Sequence, residues 1–420
     1  MTDHVLVFGL GFDIPGRMRA AGATSGEGVT TSLMCLPKHL TKTDDIDKHS
    51  RVFVLGPEAP VEEWITVAAA IHSVEPVTLI GSFYDDCRHQ AMAVAQSLGL
   101  HTYDAGTVEL TENKAAMRER LAEAGVERTA HALVDSADAV RAFADEHGYP
   151  CVVKPLVGGA SKGVSILGAP GDAEAAVAHA GGAMGPKPSQ ITVEEFLTGH
   201  QYSVEGFSEQ GEHVVVSITR KYSDPASLVE LGHVMPASLA PGDAKAITRH
   251  VIATLDALGV EFGPTHTEVI LTERGPRIIE THLRTGGDEL WNLVSDSTGV
   301  DLIESQLRQV LGEKVLPGVR AALADPDRPT HCEAIWFAGA PASGTLTEVA
   351  GADTVLPEGV TLEILGEAGT ELYGLRDSFS RLARARASAP TAQEAVALAR
   401  EAINGLTFLV SHAAAQDELL

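Results

Sequence analysis

Short apolar runs alternate with amphipathic segments along the first hundred residues. The runs "HVLVFGL", "RVFVLG" and "PVTLIG" predict strands, and helical patterns cover about Val61 to His72 and "CRHQAMAVAQSLG". Strands that alternate with helices at this spacing predict a parallel, doubly wound sheet. The glycines of "FGLGFDIPG" suggest a dinucleotide-binding turn, but that motif requires a third glycine where this chain has Ile14. We therefore interpret them as a turn after the first strand, which argues against an NAD-linked oxidoreductase.

The middle of the chain changes to a different pattern. "TENKAAMRERLAEAGV" predicts a helix with Thr111 as N-cap and Gly125 past its end, and "SADAVRAFADEHG" predicts a second one. Antiparallel strands are predicted in "PCVVKPLVGGASKGVSILG" and "QITVEEFLTGHQYSVEGFSEQGEHVVVSITR", where apolar and polar residues alternate between glycines. Helices are predicted over "DAKAITRHVIATLDALG" and "ELWNLVSDSTG". Beyond about Leu311 we expect short strands, turns and the helix "TAQEAVALAREAIN".

The segment "HTEVILTERGPRIIETHLRTGG" predicts a β-hairpin with an unusual charge pair. A three-residue loop "ERG", centred on Arg274, would place Glu268 opposite Glu280. Ile270 and Ile278 would share their face, and the other face is apolar as well. Two carboxylates directly opposed on a largely buried hairpin repel each other, so the pair requires either a cation or a raised pKa.

Composition limits the classes of function. The chain has 420 residues, 44% hydrophobic and 21% charged, which is typical of a globular protein with several cores. Its net charge of −26 argues against nucleic acid or an anionic membrane as partner, so a polyanion such as ATP would need a local basic cluster and a metal. No signal-peptide pattern and no apolar run of roughly 18 residues is present, and the four cysteines are scattered, so we expect a cytoplasmic protein with reduced thiols.

A glycine-rich loop follows Lys154, which ends an apolar strand. The loop "LVGGASKG" carries Ser161, Lys162 and Gly163, and its free backbone N–H groups together with two ammonium groups could bind an anion. The order of a P-loop is absent, and a strand rather than a helix follows. A hairpin lid over phosphates is one interpretation, and an ordinary hairpin is the other.

Two further segments carry candidate chemistry. In "TVEEFLTGHQYSVEGF", Glu194 could accept from an adenine amine beside Phe196 and Leu197, although a solvated strand end would look the same. Glu268 and Glu280 could share Mg²⁺, which takes oxygen ligands and usually binds one or two carboxylates plus substrate phosphates. Arg284, four residues further on, could then meet a phosphate or an oxyanion. The alternative is a structural Arg–Glu ion pair in another register.

Four motifs in this order resemble the ATP-grasp carboxylate–amine ligases. They are "ENKAAMRERLAEAGV", "YPCVVKPLVGGASKGVSIL", "TVEEFLTGHQYSVEGF" and "GVEFGPTHTEVILTERGPRIIETHLRTGG", within about Ala91 to Val310. The resemblance implies an ATP-grasp fold of mixed α/β and α+β class. It implies a pre-ATP domain over residues 1–108, a small subdomain with the lid over 109–193, a large catalytic subdomain over 194–312 and a C-terminal domain over 313–420.

The resemblance also implies roles for individual residues and for cofactors. ATP would be held by Lys114, Lys154, Ser161, Lys162, Gly163, Glu194, Phe196, Leu197, and Gln201 or Glu205 near the ribose. Glu268 and Glu280 would bind Mg²⁺, for which Mn²⁺ could substitute. Arg284, Lys154 and Lys162 would be catalytic. The partners would be a small-molecule carboxylate and an amine, with a homodimer as the implied assembly.

The substrate region resembles the bacterial L-amino-acid (dipeptide) ligases. Glu230 and His233 match their Glu-x-x-His motif, where the glutamate would hold a free α-amino group and the histidine would orient the substrate; the alternative is an incidental loop pair. His282 stands where the family often has an asparagine metal ligand, so it either loses that coordination or contacts substrate, as Gly287 would. Asp288, with Glu289, could favour a cationic substrate or cap the next helix.

These features predict an ADP-forming ligase that joins an L-amino acid to an amine or a second amino acid through an acyl phosphate, in the assembly of a small peptide product. Two alternatives stay open. One is an ATP-grasp ligase of nucleotide or primary metabolism, and the other is a catalytically silent ATP-binding regulatory protein, suggested by His282.

Overall fold

The computed structural model describes residues 2–10, 13–25, 28–43, 45–183 and 190–411, and Gly11 of the N-terminal glycine run lies outside these ranges. The chain opens with a parallel sheet, as the alternating pattern predicts, in the order β3-β2-β1-β4; its second strand is one that the pattern did not predict. Its strands are Asp3–Phe8 (β1), Val29–Cys35 (β2), Arg51–Val54 (β3) and Leu79–Ser82 (β4). Its helices are Ile14–Ser25 (α1), Val61–Val74 (α2) and Arg88–Leu98 (α3). Ile14 is fully buried, so it is a core residue of the helix that follows the first strand.

A second sheet, antiparallel and of four strands, carries the glycine-rich loop. The elements here are Ala105–Glu112 (α4), Lys114–Glu123 (α5), His131–Val134 (β5), Ala137–His147 (α6), Cys151–Pro155 (β6), Ser165–Leu167 (β7), Ala173–Gly182 (α7) and Ile191–Glu195 (β8). The strand order is β5-β8-β6-β7. The expectation that Thr111 caps one long helix is wrong. Asn113 divides the segment into two helices, because its side chain accepts a hydrogen bond from the Ala116 N–H and caps α5.

The largest sheet has eight antiparallel strands in the order β13-β12-β9-β10-β11-β14-β18-β16. Up to residue 312 its elements are His200–Glu209 (β9), Glu212–Ser223 (β10), Glu230–Met235 (β11), Pro241–Leu258 (α8), Phe262–Thr272 (β12), Gly275–His282 (β13), Leu290–Thr298 (α9) and Leu302–Val310 (α10). Helix α8 packs on the inner face of β12 and β13 through a core that includes Val251, Leu255, Val269 and Ile278.

The last hundred residues continue this sheet and add a small three-stranded one, β17-β15-β19. The elements are Leu316–Ala324 (α11), Cys332–Gly339 (β14), Ser343–Ala350 (β15), Val360–Ile364 (β16), Glu371–Tyr373 (β17), Arg381–Ala389 (β18), Ala392–Asn404 (α12) and Thr407–Ser411 (β19). Strands β14 and β18 pair with each other, and β14 pairs with β11. Residues beyond 330 therefore lie directly beside the strand that carries Glu230 and His233.

The β12–β13 hairpin has the predicted carboxylate pair but not the predicted register. Its turn has two residues, since Thr272 pairs with Gly275, and a bulge follows Glu268. The bulge restores the pairing of Glu268 with Glu280 but moves Ile278 opposite Val269, on the buried face. The expectation that Ile270 and Ile278 share a face is therefore wrong.

The described residues bear on two further features, membrane-spanning helices and the state of the cysteines. Within them, no helix is long and apolar enough to cross a membrane. All four cysteines are free thiols, and three of them are buried.

Candidate active site

A cavity of about 290 Å³ lies between the four-stranded lid sheet and the eight-stranded sheet. Most of the predicted site residues line it, namely Lys114, Lys154, Ser161, Lys162, Glu194, Phe196, Leu197, Gln201, Glu230, Glu268 and Glu280. The structure therefore brings together the helix, loop, strand-end and hairpin motifs, which are far apart in sequence. We call this the central cavity. A second cavity, of about 400 Å³ and lined by Tyr103 and Phe262 among others, includes none of the predicted site residues.

The glycine-rich loop covers one side of the central cavity. Ala160 and Ser161 both have left-handed backbone angles, with φ of 59° and 58°, which give the loop its tight path. The Ser161 hydroxyl donates to the Leu228 carbonyl at 3.0 Å, and the Ser378 N–H donates to the Ala160 carbonyl at 3.3 Å. Gly163 does not line the cavity; a side chain there would collide with Ala183 and Pro155.

Lys154 is buried and paired with Glu194. Its Nζ donates to Glu194 Oε2 at 2.8 Å, and Arg118 Nη2 donates to the same oxygen at 3.0 Å. Burial alone would raise the pKa of Glu194, but Arg118 and Lys154 outweigh it and lower that pKa to about 2. Glu194 Oε1 is buried and has no hydrogen-bond partner among the described residues, so it remains available as an acceptor.

Glu268 is held by two cationic side chains. Lys221, whose side chain is 1% exposed, forms ion pairs with both Glu268 and Glu230. His266 Nε2 lies 3.6 Å from Glu268 Oε1. Burial raises the pKa of Glu268, but Lys221 and His266 more than offset this and lower it to about 2. Burial lowers the pKa of His266, yet Glu205 raises it to about 9, so the imidazole is protonated near neutral pH.

Glu280 has its own pair of partners. Lys114 Nζ lies 3.1 Å from Glu280 Oε2 and donates to the Gly158 carbonyl at 2.8 Å. His282 Nε2 lies 3.2 Å from Glu280 Oε1. Burial raises the pKa of Glu280, but Lys114 and His282 hold it well below its usual range. Both opposed carboxylates are thus ionised, and each is neutralised by different cations rather than by sharing a proton.

Arg284 is positioned by a residue that follows the N-terminal sheet. Its Nε donates to Asp85 Oδ2, and Arg88 Nη1 donates to Asp85 Oδ1 at 2.8 Å. His282 Nδ1 lies 3.5 Å from Asp85 Oδ2, so both ring nitrogens of His282 have carboxylate neighbours. Burial raises the pKa of Asp85, but Arg284 and Arg88 lower it well below its usual range. A histidine engaged in this way is a poor candidate for a metal ligand.

Glu230 and His233 lie on β11 beside Asp288. His233 Nε2 is 2.9 Å from Asp288 Oδ2 and 4.0 Å from Glu230 Oε2. Asp288 also accepts two hydrogen bonds from Arg381. The expectation that Asp288 and Glu289 cap α9 is wrong, because Glu289 makes no capping hydrogen bond and pairs with Arg384 at 2.8 Å.

Glu205 does not reach the central cavity. It is fully buried, its carboxylate contacts His266 Nδ1 at 2.9 Å through both oxygens, and the Ser203 hydroxyl donates to it at 2.8 Å. The expectation that Glu205 approaches the ribose is therefore wrong, because its carboxylate orients His266 instead. Gln201, which lines the cavity, remains the candidate for contact with the ribose. A side chain at Gly287 would meet no atom within 4 Å, whereas a side chain at Gly286 would lie 2.7 Å from His266 Nδ1.

Sequence analysis missed five charged residues that complete the site. They are Asp85, Arg118, Lys221, His266 and Arg381. A signal existed for three of them. Arg118 lies four residues after Lys114, on the same helix face, and Asp85 follows the end of a parallel strand, where ligands of such sheets usually bind. His266 lies two residues before Glu268 on one strand and so shares its face. Lys221 and Arg381 depend on strand pairing.

Comparison with known proteins agrees with this geometry. Residues 147–290 match the family model of the ATP-grasp domain. These residues therefore form an ATP-grasp domain, and the chain has an ATP-grasp fold. Residues 336–411 match a second model, L-amino acid ligase C-terminal domain 2, so the resemblance recognised in the sequence is confirmed.

Individual relatives are distant. An uncharacterized protein, y4rH, of Sinorhizobium fredii is 28% identical over 76% of this chain and 65% of its own length. Alanine–anticapsin ligase of Bacillus subtilis is 26% identical over 57% of this chain and 53% of its own. The matches thus span about half to two thirds of these curated relatives. A crystal structure of L-amino acid ligase from Bacillus licheniformis superposes with a TM-score of 0.78 at 20% identity, covering 98% of this chain and 100% of that one.

Proposed function

We propose that the protein is an ATP-dependent carboxylate–amine ligase that joins an L-amino acid to a second amino acid or amine, releasing ADP and phosphate. One observation carries the proposal. Two ionised carboxylates, Glu268 and Glu280, face each other on a hairpin that lines a cavity also containing Lys114 and Lys154. This arrangement supports binding of a nucleoside triphosphate together with a divalent cation.

The donor set fits magnesium. Both carboxylates are ionised oxygen ligands, and a carboxylate has about four lone-pair sites to divide between hydrogen-bond donors and an ion. When bound there by Glu268 and Glu280, Mg²⁺ would supply Lewis-acid neutralisation of the phosphates. Mn²⁺ has similar oxygen chemistry and could replace it. His282 lies outside this set because its ring nitrogens face Glu280 and Asp85.

The cationic residues of the cavity would carry most of the positioning. Lys114 and Lys154 would neutralise the transferring γ-phosphoryl group, with Lys162 approaching from the lid. The substrate carboxylate would attack the γ-phosphorus, forming an acyl phosphate and ADP. An amine would then attack the acyl carbon, and Arg284 would stabilise the oxyanion before phosphate leaves.

The amino-acid assignment rests on the Glu230–His233 pair. Glu230 lines the central cavity, so its carboxylate is placed to meet a free ammonium, and His233 lies beside it. The match of residues 336–411 to an L-amino acid ligase domain supports the same substrate class. We place the protein, like its small-molecule substrates, in the cytoplasm. An ATP-grasp ligase of nucleotide metabolism would bind a different substrate at Glu230 and His233.

The test is phosphate release from the purified protein with Mg²⁺–ATP, screened over pairs of L-amino acids and followed by mass spectrometry. Glu280→Gln should abolish release because it removes one carboxylate charge from the cation site. Glu273→Gln is the matched control, since Glu273 lies in the turn of the same hairpin and outside the central cavity.

Release with one amino-acid pair, together with a condensed product, would support the ligase assignment. Release with other carboxylates only would redirect the assignment to another ATP-grasp ligase. Binding of ATP with no release under any condition would support the silent regulatory alternative.

A further inference from the structure

Arg381 connects the C-terminal part of the chain to the substrate region. It lies on β18, two strands away from β11 in the large sheet. Its guanidinium forms two hydrogen bonds to Asp288, from Nη1 to Oδ2 at 2.8 Å and from Nη2 to Oδ1. Nη1 also donates to the Glu230 carbonyl at 3.3 Å. One side chain thus contacts both Asp288 and the backbone of Glu230.

The guanidinium is fixed in place by its other contacts. Its Nε donates to the Ser378 carbonyl at 2.8 Å, and its Cζ lies 3.9 Å from the centre of the Phe337 ring. The His233 ring meets the same Phe337 ring edge-on, with 6.3 Å between centroids. The Arg381 side chain is 9% exposed. A buried, two-pronged arginine–carboxylate pair over an aromatic ring has one geometry, so it constrains what it holds.

Asp288 transmits this constraint to His233. The carboxylate that accepts from Arg381 also lies 2.9 Å from His233 Nε2, which favours the tautomer with the proton on Nε2. Nδ1 of the same ring would then be an acceptor. It is buried and has no hydrogen-bond partner among the described residues, so the contact with Asp288 is the hydrogen bond that fixes the ring.

We propose that Arg381 is a positioning residue for the amino-acid substrate. It orients Asp288, which in turn fixes the ring of His233 beside Glu230. This inference rests on the proposed function and adds to it that the C-terminal domain completes the site for the first amino acid. The nucleotide is held by other residues, so the effect of Arg381 falls on the amino acid and not on ATP.

Steady-state kinetics of Arg381→Gln would test this. Loss of a charge-assisted pair that orients the substrate site should raise KM for the first amino acid by about tenfold or more. KM for ATP should stay within about twofold of the wild-type value. Arg381→Lys keeps the buried charge, so it is the variant less prone to misfold. An ammonium cannot form the two-pronged contact, so KM for the amino acid should still rise.

Arg384→Gln is the matched control. Arg384 lies on the same strand and pairs with Glu289, the neighbour of Asp288, but contacts neither Asp288 nor His233. Its kinetics should resemble the wild type. Wild-type KM for the amino acid in Arg381→Gln, full activity in Arg381→Lys, or an equal change in both KM values would overturn the proposal.

A crystal structure of Arg381→Gln separates this proposal from the ligase assignment. If the wild type turns over no amino acid, the proposed function fails, yet the structure still decides the positioning role. Displacement of Asp288 from His233 Nε2 would support that role, and retention of the 2.9 Å contact would refute it.

Discussion

Lys221 is the residue whose removal would most directly test how the chain tolerates its carboxylate pair. It is buried between Glu268 and Glu230 and forms an ion pair with each. Methionine has a similar length and no charge. Lys221→Met would therefore leave Glu268 opposite Glu280 with only His266, 3.6 Å away, as its cationic neighbour. We expect a large loss of stability.

The size of that loss follows from the burial of the partners. Removing one member of a buried ion pair usually costs about 3–5 kcal/mol. Glu268 and Glu230 are 12% and 19% exposed at their side chains, so some water can reach them and the lower end applies, about 3 kcal/mol. For a unit of 150–250 residues this corresponds to a fall in Tm of roughly 6–12 °C.

Thermal unfolding without nucleotide, followed by circular dichroism, would measure this. Lys38→Met is the control, because the Lys38 side chain is 57% exposed and its pair with Asp86 lies at the surface, so less than about 1 kcal/mol should be lost. Adding Glu268→Gln to Lys221→Met should recover part of the stability, since one of the two uncompensated carboxylates, Glu268 but not Glu230, is then neutral. A Tm change below about 2 °C in Lys221→Met would show that Lys221 does not offset the repulsion.

Other parts of the structure lead to further expectations. Asp85→Asn should lower the rate of phosphate release about ten- to a hundredfold, because it weakens the hold on Arg284, which we propose stabilises the oxyanion. Asp86→Asn should not, since Asp86 pairs with Lys38 and His39 instead, and equal rates in the two variants would refute the role. Burial, then a nearby arginine, lowers the pKa of His49 to about 4, so stability present above pH 6.5 should be lost as the pH falls toward 4. The free energy of unfolding should fall by about 3 kcal/mol over this pH range, and urea titrations of His49→Gln should lack that fall. Gly286→Ala should cost about 1–3 kcal/mol in the same titration, because its Cβ would lie 2.7 Å from a buried imidazole nitrogen, whereas Gly287→Ala has open space and should cost little.

Local patterns predicted the elements well where one physical cause dominates. Alternation of strands and helices identified the parallel sheet, and the glycine-rich loop lies between two strands as expected. The errors occur where a local choice has two solutions. Thr111 and Asn113 are both good caps, and the chain uses Asn113 to start a second helix. The two-residue turn and the bulge after Glu268 place Val269 and Ile278 in the core that α8 shares, and a hairpin pattern alone does not contain this long-range packing.

The candidate site was predictable in its motifs and not in its charge balance. Lys114, Lys154, Glu268 and Glu280 stand in recognisable segments, and all four line the central cavity. Other charged residues of the site stand outside these segments. The position of Lys221 beside Glu230 follows from the pairing of β10 with β11. The position of Arg381 follows from the place of β18, two strands beyond β11 in the sheet. Such contacts join residues up to about 150 positions apart, beyond the reach of periodicity.

The charge balance changes how the carboxylate pair should be understood. From sequence, the opposed carboxylates of Glu268 and Glu280 require either a cation or a raised pKa. In the structure each carboxylate already has a lysine and a histidine beside it, so the hairpin can fold before any ion arrives. On the proposed function, Glu268 and Glu280 would hold a divalent cation with oxygens that they share with these ammonium groups. Lys114, which lies between Glu280 and the glycine-rich loop, would then stabilise the hairpin without ligand and the nucleotide phosphates when they are bound.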